Sequence, residues 1–168
     1  MQTGAKLLAE DPGASVAAIA AAAGVDRRTV YRRFPNRDAL LCGVFQARLD
    51  AIDDVLTRSR LTEAPVDVAL HRLVEGAVDV SRRYPVRPEQ TDCPSTAYTR
   101  HLEQRGRVET FLRRAAADGL VRDDLPGGMT WRVLRDVVGL VAHRLPDLDT
   151  GAAADLAVAI LLGGIGRA

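Results

Sequence analysis

From Val16 to Ala23 every residue is Ala, Val or Ile, and Gly24 follows at once. Eight small or branched apolar residues with no charge make a short helix able to pack closely on a neighbour, with Val16, Ile19, Ala20 and Ala23 along one stripe. Gly24 ends that helix, because glycine takes the left-handed C′ conformation without strain. Ser15 stands where an N-cap would, Val25 plugs the turn, and Asp26 is a natural N-cap for a second helix. The second helix, Arg27 to Phe34, must be short, since Pro35 disfavours helical geometry in the residue before it. Helix, tight turn and helix at this spacing is the arrangement whose second helix enters the major groove of duplex DNA.

The second helix carries the chemistry that such a role needs. Arg27, Arg28, Arg32 and Arg33 lie on it and Arg37 just beyond, so five arginines fall within eleven residues. Thr29 and Tyr31 add a hydroxyl and a phenol, while Val30 and Phe34 form the inward pair at i and i+4. Guanidinium and hydroxyl groups in this density suit phosphate and base-edge contacts. Arginines on a short amphipathic helix are also often only its solvated face. Here the first helix carries no charge at all, so the basic residues are concentrated on the element that would meet nucleic acid. The charge balance agrees. Residues 1–48 hold seven Lys/Arg against four Asp/Glu, and residues 49–168 sixteen against eighteen, so a basic head precedes a mildly acidic body.

Beyond the head, apolar positions keep recurring at helical spacing and no period-two strand is evident. Leu7 and Leu8 belong to a short opening helix stopped by Asp11, Pro12 and Gly13. Asn36 caps a long helix with Asp38 in its first turn, and Leu41, Val44, Phe45, Leu49, Ile52 and Val55/Leu56 trace one face. Pro65 opens a further helix with a stripe of Leu70, Leu73, Val74, Ala77 and Ser81. Tyr84 to Pro94, with three prolines, reads as a loop. Pro94 then starts a long helix whose face includes Tyr98, Leu102, Val108, Leu112 and Ala116, and Asp118-Gly119 stops it with Leu120 placed for the usual cap contact. A helix bearing Leu134, Val137, Val138, Val141 and Leu145 ends at Pro146. Thr150 is expected to cap the last, from Gly151 to about Gly163.

Composition narrows the alternatives. The chain has 168 residues, 47% hydrophobic and 27% charged, enough for one or one and a half domains with a real core. With 26 alanines, 4% aromatics and arginine supplying 22 of its 23 basic residues, it reads as all-α. No run of eighteen apolar residues is present, and MQTGAKLLAE has no basic region leading into a long apolar stretch, so neither a membrane span nor a secretory signal is expected. Cys42 and Cys93 lie far apart and fit no metal spacing, which suggests a reducing, cytoplasmic setting, and Cys42, on the long helix near the head, reads as a small buried thiol rather than a redox switch. His71, His101 and His143 are scattered without ligand spacing, and no metal or cofactor is expected. No nucleophile elbow, zinc-protease motif, P-loop or dinucleotide fingerprint occurs, and Gly163-Gly164-Ile165-Gly166 follows a helix rather than a strand, so enzyme readings do poorly.

IAAAAGVDRRTVYRRFPNRDALL closely resembles the DNA-binding signature of TetR-family transcriptional regulators, and FLRRAAADGLVRDDLP resembles the segment that precedes that family's last two helices. The resemblance is strong over residues 15–41 and looser afterwards. It implies a three-helix DNA-binding head over residues 1–45 and a ligand-binding and dimerisation body over 46–168, joined by the long helix. It places Arg27 and Arg28 at base edges, Thr29 and Tyr31 at phosphates, Arg37 in place of a phosphate-gripping lysine, and Ser15 as a cap that can meet the backbone. Arg32 and Arg33 fall at variable positions. The opening helix is shorter than usual and lacks the basic residues that often precede it. Ala17 and Ala18 replace polar residues, which shifts specificity onto Arg27 and Arg28.

The resemblance further implies a homodimeric repressor that binds a palindromic double-stranded DNA operator and is released by a small-molecule effector. The alternative is a helical dimerisation or interaction module without sequence-specific DNA binding. For a ligand cavity the candidate residues are Phe45, Leu49, Leu73, Tyr98, His101, Leu102 and Trp131, each of which is also ordinary core at helical spacing. The last helix is apolar nearly all round yet too short for a bilayer, so it calls for cover on every side. Pairing with its predecessor in an intermolecular four-helix bundle supplies that cover, with Leu134, Val138, Val141, Leu156 and Ile160 as the interface residues; the alternative is a central helix of a monomeric bundle.

Overall fold

The computed structural model describes residues 14–86, 91 and 93–166. The opening helix expected at Leu7 and Leu8 lies outside them. Among the described residues the chain forms seven α-helices and no strand: α1 Val16–Ala22, α2 Arg27–Arg33, α3 Arg37–Ser59, α4 Val66–Arg83, α5 Ser95–Ala117, α6 Met129–Arg144 and α7 Thr150–Ile165. The fold is therefore all-α, as its sequence pattern requires.

Local chemistry fixes most helix ends. Ser15 Oγ accepts from the Ala18 amide at 3.1 Å, Asp26 Oδ1 from the Thr29 amide at 3.1 Å, and Asn36 Oδ1 from the Ala39 amide at 2.8 Å. α1 stops at a Schellman turn: Gly24 has φ +63°, the Gly24 amide donates to Ala21 O, and the Val25 amide donates to Ala20 O. Gly119, at φ +78°, repeats the arrangement after α5, with the Leu120 amide donating to Ala115 O. One cap differs from expectation. Asp149, not Thr150, caps α7, its Oδ1 accepting from the Ala152 amide at 3.0 Å, and Thr150 is the first helical residue. A carboxylate one residue upstream competes successfully with the hydroxyl for the same amides.

The described chain falls into two compact units. One comprises residues up to Ala51 with Arg82–His101, the other Ile52–Ser81 with Leu102 onward. In the first, Val16, Ile19, Leu40, Leu41, Val44, Phe45, Leu49, Val86 and Ala97 form a buried cluster, with Val30, Phe34 and Tyr84 packed against it. Burying this many aliphatic side chains, each worth about 1.5–3 kcal/mol, is what holds so short a pair as α1 and α2 in place.

In the second unit the core takes Val55, Leu56, Leu70, Leu73, Val74, Val78, Val108, Phe111, Leu112, Leu134, Val138, Val141 and the inward side of α7. Arg114 reaches from α5 to the turn after α3, donating to Leu61 O and Ala64 O at 2.7 Å each. His71 Nε2 lies 2.8 Å from Asp155 Oδ1, tying α4 to α7. α5 buries only part of the expected face, Val108 and Leu112 being inside while its first two turns face the other way. Ala97, Gln104, Val108, Phe111, Leu112 and Ala115 are inside, whereas Tyr98 and Leu102 are 54% and 44% exposed. No described helix is long and apolar enough to cross a membrane.

Candidate nucleic-acid interface

The candidate interface begins with what α2 does not do. None of its residues is buried. Val30 and Phe34 are half-buried and pack on the first unit's core, and the Phe34 amide donates to Val30 O at 2.8 Å as the helix ends. Every other side chain of the helix is turned to solvent. A two-residue anchor thus suffices to hold the helix on α1, whose small Ala residues permit the approach.

The residues assigned to DNA from sequence all stand outward. Ser15, Arg27, Arg28, Thr29, Tyr31, Arg32 and Arg37 are each exposed, as is Arg33. The Arg27 guanidinium carbon lies 5.2 Å from the centroid of the Tyr31 ring, a cation–π contact one helical turn apart that orients both groups outward. Arg33 lies similarly over Phe34, at 5.8 Å. Arg32 and Arg33 occupy the last turn of α2, where the helix dipole favours cations. Arg37 opens α3 directly after the Asn36 cap. Ser15 is occupied as a cap, so its hydroxyl presents its remaining hydrogen-bonding capacity at the mouth of α1.

The residues proposed for a ligand cavity separate between the two units. Phe45 and Leu49 are buried in the first, where the Phe45 and His101 rings are 6.1 Å apart and those of Tyr98 and His101 6.3 Å. Leu73, Leu102 and Trp131 belong to the second, with Leu73 buried, Trp131 half-buried and Leu102 exposed. The proposed interface set also divides. Leu134, Val138 and Val141 are buried within the chain itself, while Leu156 and Ile160 are 36% and 39% exposed. Leu140 on α6, not singled out by its sequence context, is exposed as well.

Sequence reasoning missed one pairing. Cys42 on α3 and Cys93 ahead of α5, read as separate thiols, are joined as a disulfide with Cα atoms 5.3 Å apart. Nothing in the spacing of the two cysteines announces it, because the fold alone brings them together. Among the described residues no group of three or more His, Cys, Asp or Glu is placed to hold a metal ion.

The stretch that carries this exposed basic helix is similar to known proteins. Residues 2–43 match the bacterial regulatory proteins of the tetR family. The match covers about a quarter of the chain, at its N-terminal end. Over 74 residues, 44% of the chain, it is 42% identical to the HTH-type transcriptional repressor LfrR of Mycolicibacterium smegmatis, and that stretch spans 39% of the repressor's length. The crystal structure of the TetR-like regulator LfrR from Mycobacterium smegmatis in complex with proflavine superposes with a TM-score of 0.78 at 28% identity, covering 96% of this chain and 92% of that one. The TetR-family regulator PfmR of Thermus thermophilus shares the fold at 18% identity, with a TM-score of 0.71 and coverage of 95% and 93%. These similar proteins are transcriptional regulators.

Proposed function

We propose that this chain is a cytoplasmic, homodimeric transcriptional repressor of the tetR family that reads a near-palindromic operator and releases it when a small molecule binds its helical body. The observation that carries the reading is α2, which anchors through Val30 and Phe34 alone and offers Arg27, Arg28, Thr29, Tyr31 and Arg32 to solvent. Arg27 and Arg28 read base edges, while Thr29, Tyr31 and Arg37 hold phosphates and set the register. Two such helices in a dimer fit successive major grooves about 34–36 Å apart, or a small multiple of that distance.

Dimerisation uses the exposed apolar residues of the last two helices, Leu140, Leu156 and Ile160. Effector binding acts through α3, which supplies residues to both compact units and carries Arg37 at its first position. By linkage, an effector that weakens operator binding is itself bound more weakly by the operator complex, by the same factor.

The test is selection from a random duplex library followed by titration across salt concentrations. A preferred two-fold-related site with a steep salt dependence supports the repressor reading. Binding without sequence preference at low salt supports the helical interaction module instead. Proflavine, held by the similar repressor, is the first effector probe: it should bind and lower the affinity for the selected site.

A further inference from the structure

We infer that Cys42 and Cys93 form a reversible, oxidant-responsive dithiol–disulfide site, a covalent modification site that ties the start of α3 to the segment leading into α5. Their Cα atoms are 5.3 Å apart, within the span a disulfide bridges without backbone movement. They are the only cysteines in the chain, so no other internal thiol competes. Both are half-buried, which leaves them open to a small reagent, and Cys93 packs against the first unit's core.

Two further contacts join α3 and α5 beyond the bridge. Arg100 Nη1 donates to Asp50 Oδ1 at 2.6 Å, and the Phe45 ring meets His101. α3 and α5 are therefore held together by contacts other than the bond between the sulfurs. Cys93 stands two residues ahead of α5.

The co-reactant is a hydroperoxide. The Cys93 thiolate attacks the terminal peroxide oxygen, forming a sulfenic acid and releasing an alcohol, or water when the oxidant is hydrogen peroxide. The Cys42 thiolate then attacks that sulfur and displaces hydroxide, which leaves as water. Overall two thiols lose two electrons and two protons, and the hydroperoxide is reduced. A dithiol reverses the step by exchange. Closure fixes the first turns of α3, immediately after the recognition helix and Arg37. The reversible character of the site rests on the proposed function, since a DNA-binding repressor works in a reducing compartment.

The experiment uses the full, reduced chain treated with one equivalent of hydrogen peroxide, then alkylation and intact mass analysis, with amide exchange followed over residues 37–50 and 93–101. The expected result is an intramolecular disulfide, reopened by a glutathione buffer of cytosolic composition, and exchange in both stretches slowed several-fold on closure. Cys42→Ser should stop at a sulfenic acid that dimedone traps. Disulfides only between chains, or a disulfide that the glutathione buffer leaves intact, would overturn the inference. Both redox forms are also titrated with duplex DNA. Absence of binding in either form removes the repressor reading and leaves the thiol result to stand on its own, whereas DNA binding by a chain whose thiols never close overturns the thiol site alone.

Discussion

Val55 fills the space beside Gly76: a Cβ built on Gly76 would lie 2.6 Å from Val55 Cγ1 and 2.7 Å from Cγ2. α3 and α4 approach this closely because one partner has no side chain. Val55 is 2% exposed, and as a β-branched helical residue it has little choice of rotamer with which to retreat.

Gly76→Ala is therefore expected to destabilise the chain. Helix propensity alone would favour alanine by about 1 kcal/mol, but overpacking costs about 1–3 kcal/mol, leaving a net loss of roughly 1 kcal/mol. Denaturant unfolding of Gly76→Ala, Val55→Ala and the double variant checks this. The double variant should be more stable than the sum of the single effects allows, and strict additivity would refute the contact.

Arg114 should matter more than its exposed neighbours on α5. It satisfies two backbone carbonyls in the turn after α3, and hydrogen bonds from a charged donor are worth about 1.5–3 kcal/mol each. Arg114→Ala is expected to lower unfolding free energy by about 2–3 kcal/mol, and Arg114→Lys to recover part of it. Arg113→Ala, on an exposed residue beside it, should change stability by less than about 0.5 kcal/mol in the same assay.

Arg27→Ala and Arg37→Ala should separate two kinds of DNA contact. Loss of Arg27 is expected to reduce discrimination between the selected operator and single-base variants, by about 1–3 kcal/mol at one position. Loss of Arg37 should weaken binding to every sequence and reduce the salt slope by about one unit. Fluorescence anisotropy over a salt series reads both, and equal loss of discrimination in the two variants would count against the assignment.

Leu156→Ser with Ile160→Ser should leave the chain folded, since both residues are substantially exposed, yet shift sedimentation from dimer to monomer. A dimer that persists would move the interface elsewhere. Val141→Ser, by contrast, alters a fully buried position and should unfold the second unit rather than merely separate subunits.

Reducing the disulfide should cost stability through the denatured state. Its half-cystines are 51 residues apart, and closing a loop of that length removes chain entropy worth about 4 kcal/mol at 25 °C. Urea titrations with and without reductant measure the difference, which Cys42→Ser should abolish.

How much of this was legible follows from how local each determinant is. The Ser15, Asp26 and Asn36 caps and the Gly24 and Gly119 turns are decided within four or five residues, and the structure has all five. The exposed arginines of α2 follow from the same short stretch. The face of α5 does not. Its apolar residues are sparse, so Tyr98 and Leu102 compete with Phe111 and Ala115 for the inward side, and only packing against the other helices chooses. The Cys42–Cys93 pairing and the Arg114 contacts depend on residues about fifty positions apart, which no local pattern encodes. The burial of Leu134, Val138 and Val141 within one chain has the same origin: helical spacing marks an apolar face but does not name the surface that covers it.

The recognition helix contributes no fully buried side chain, so its outward positions are nearly independent of the core. Residues 27, 28, 29, 31 and 32 can be exchanged with little penalty to folding while Val30 and Phe34 stay in place. Related proteins could thus diverge to new DNA sequences by rewriting a handful of codons, with the remainder of the scaffold inherited unchanged.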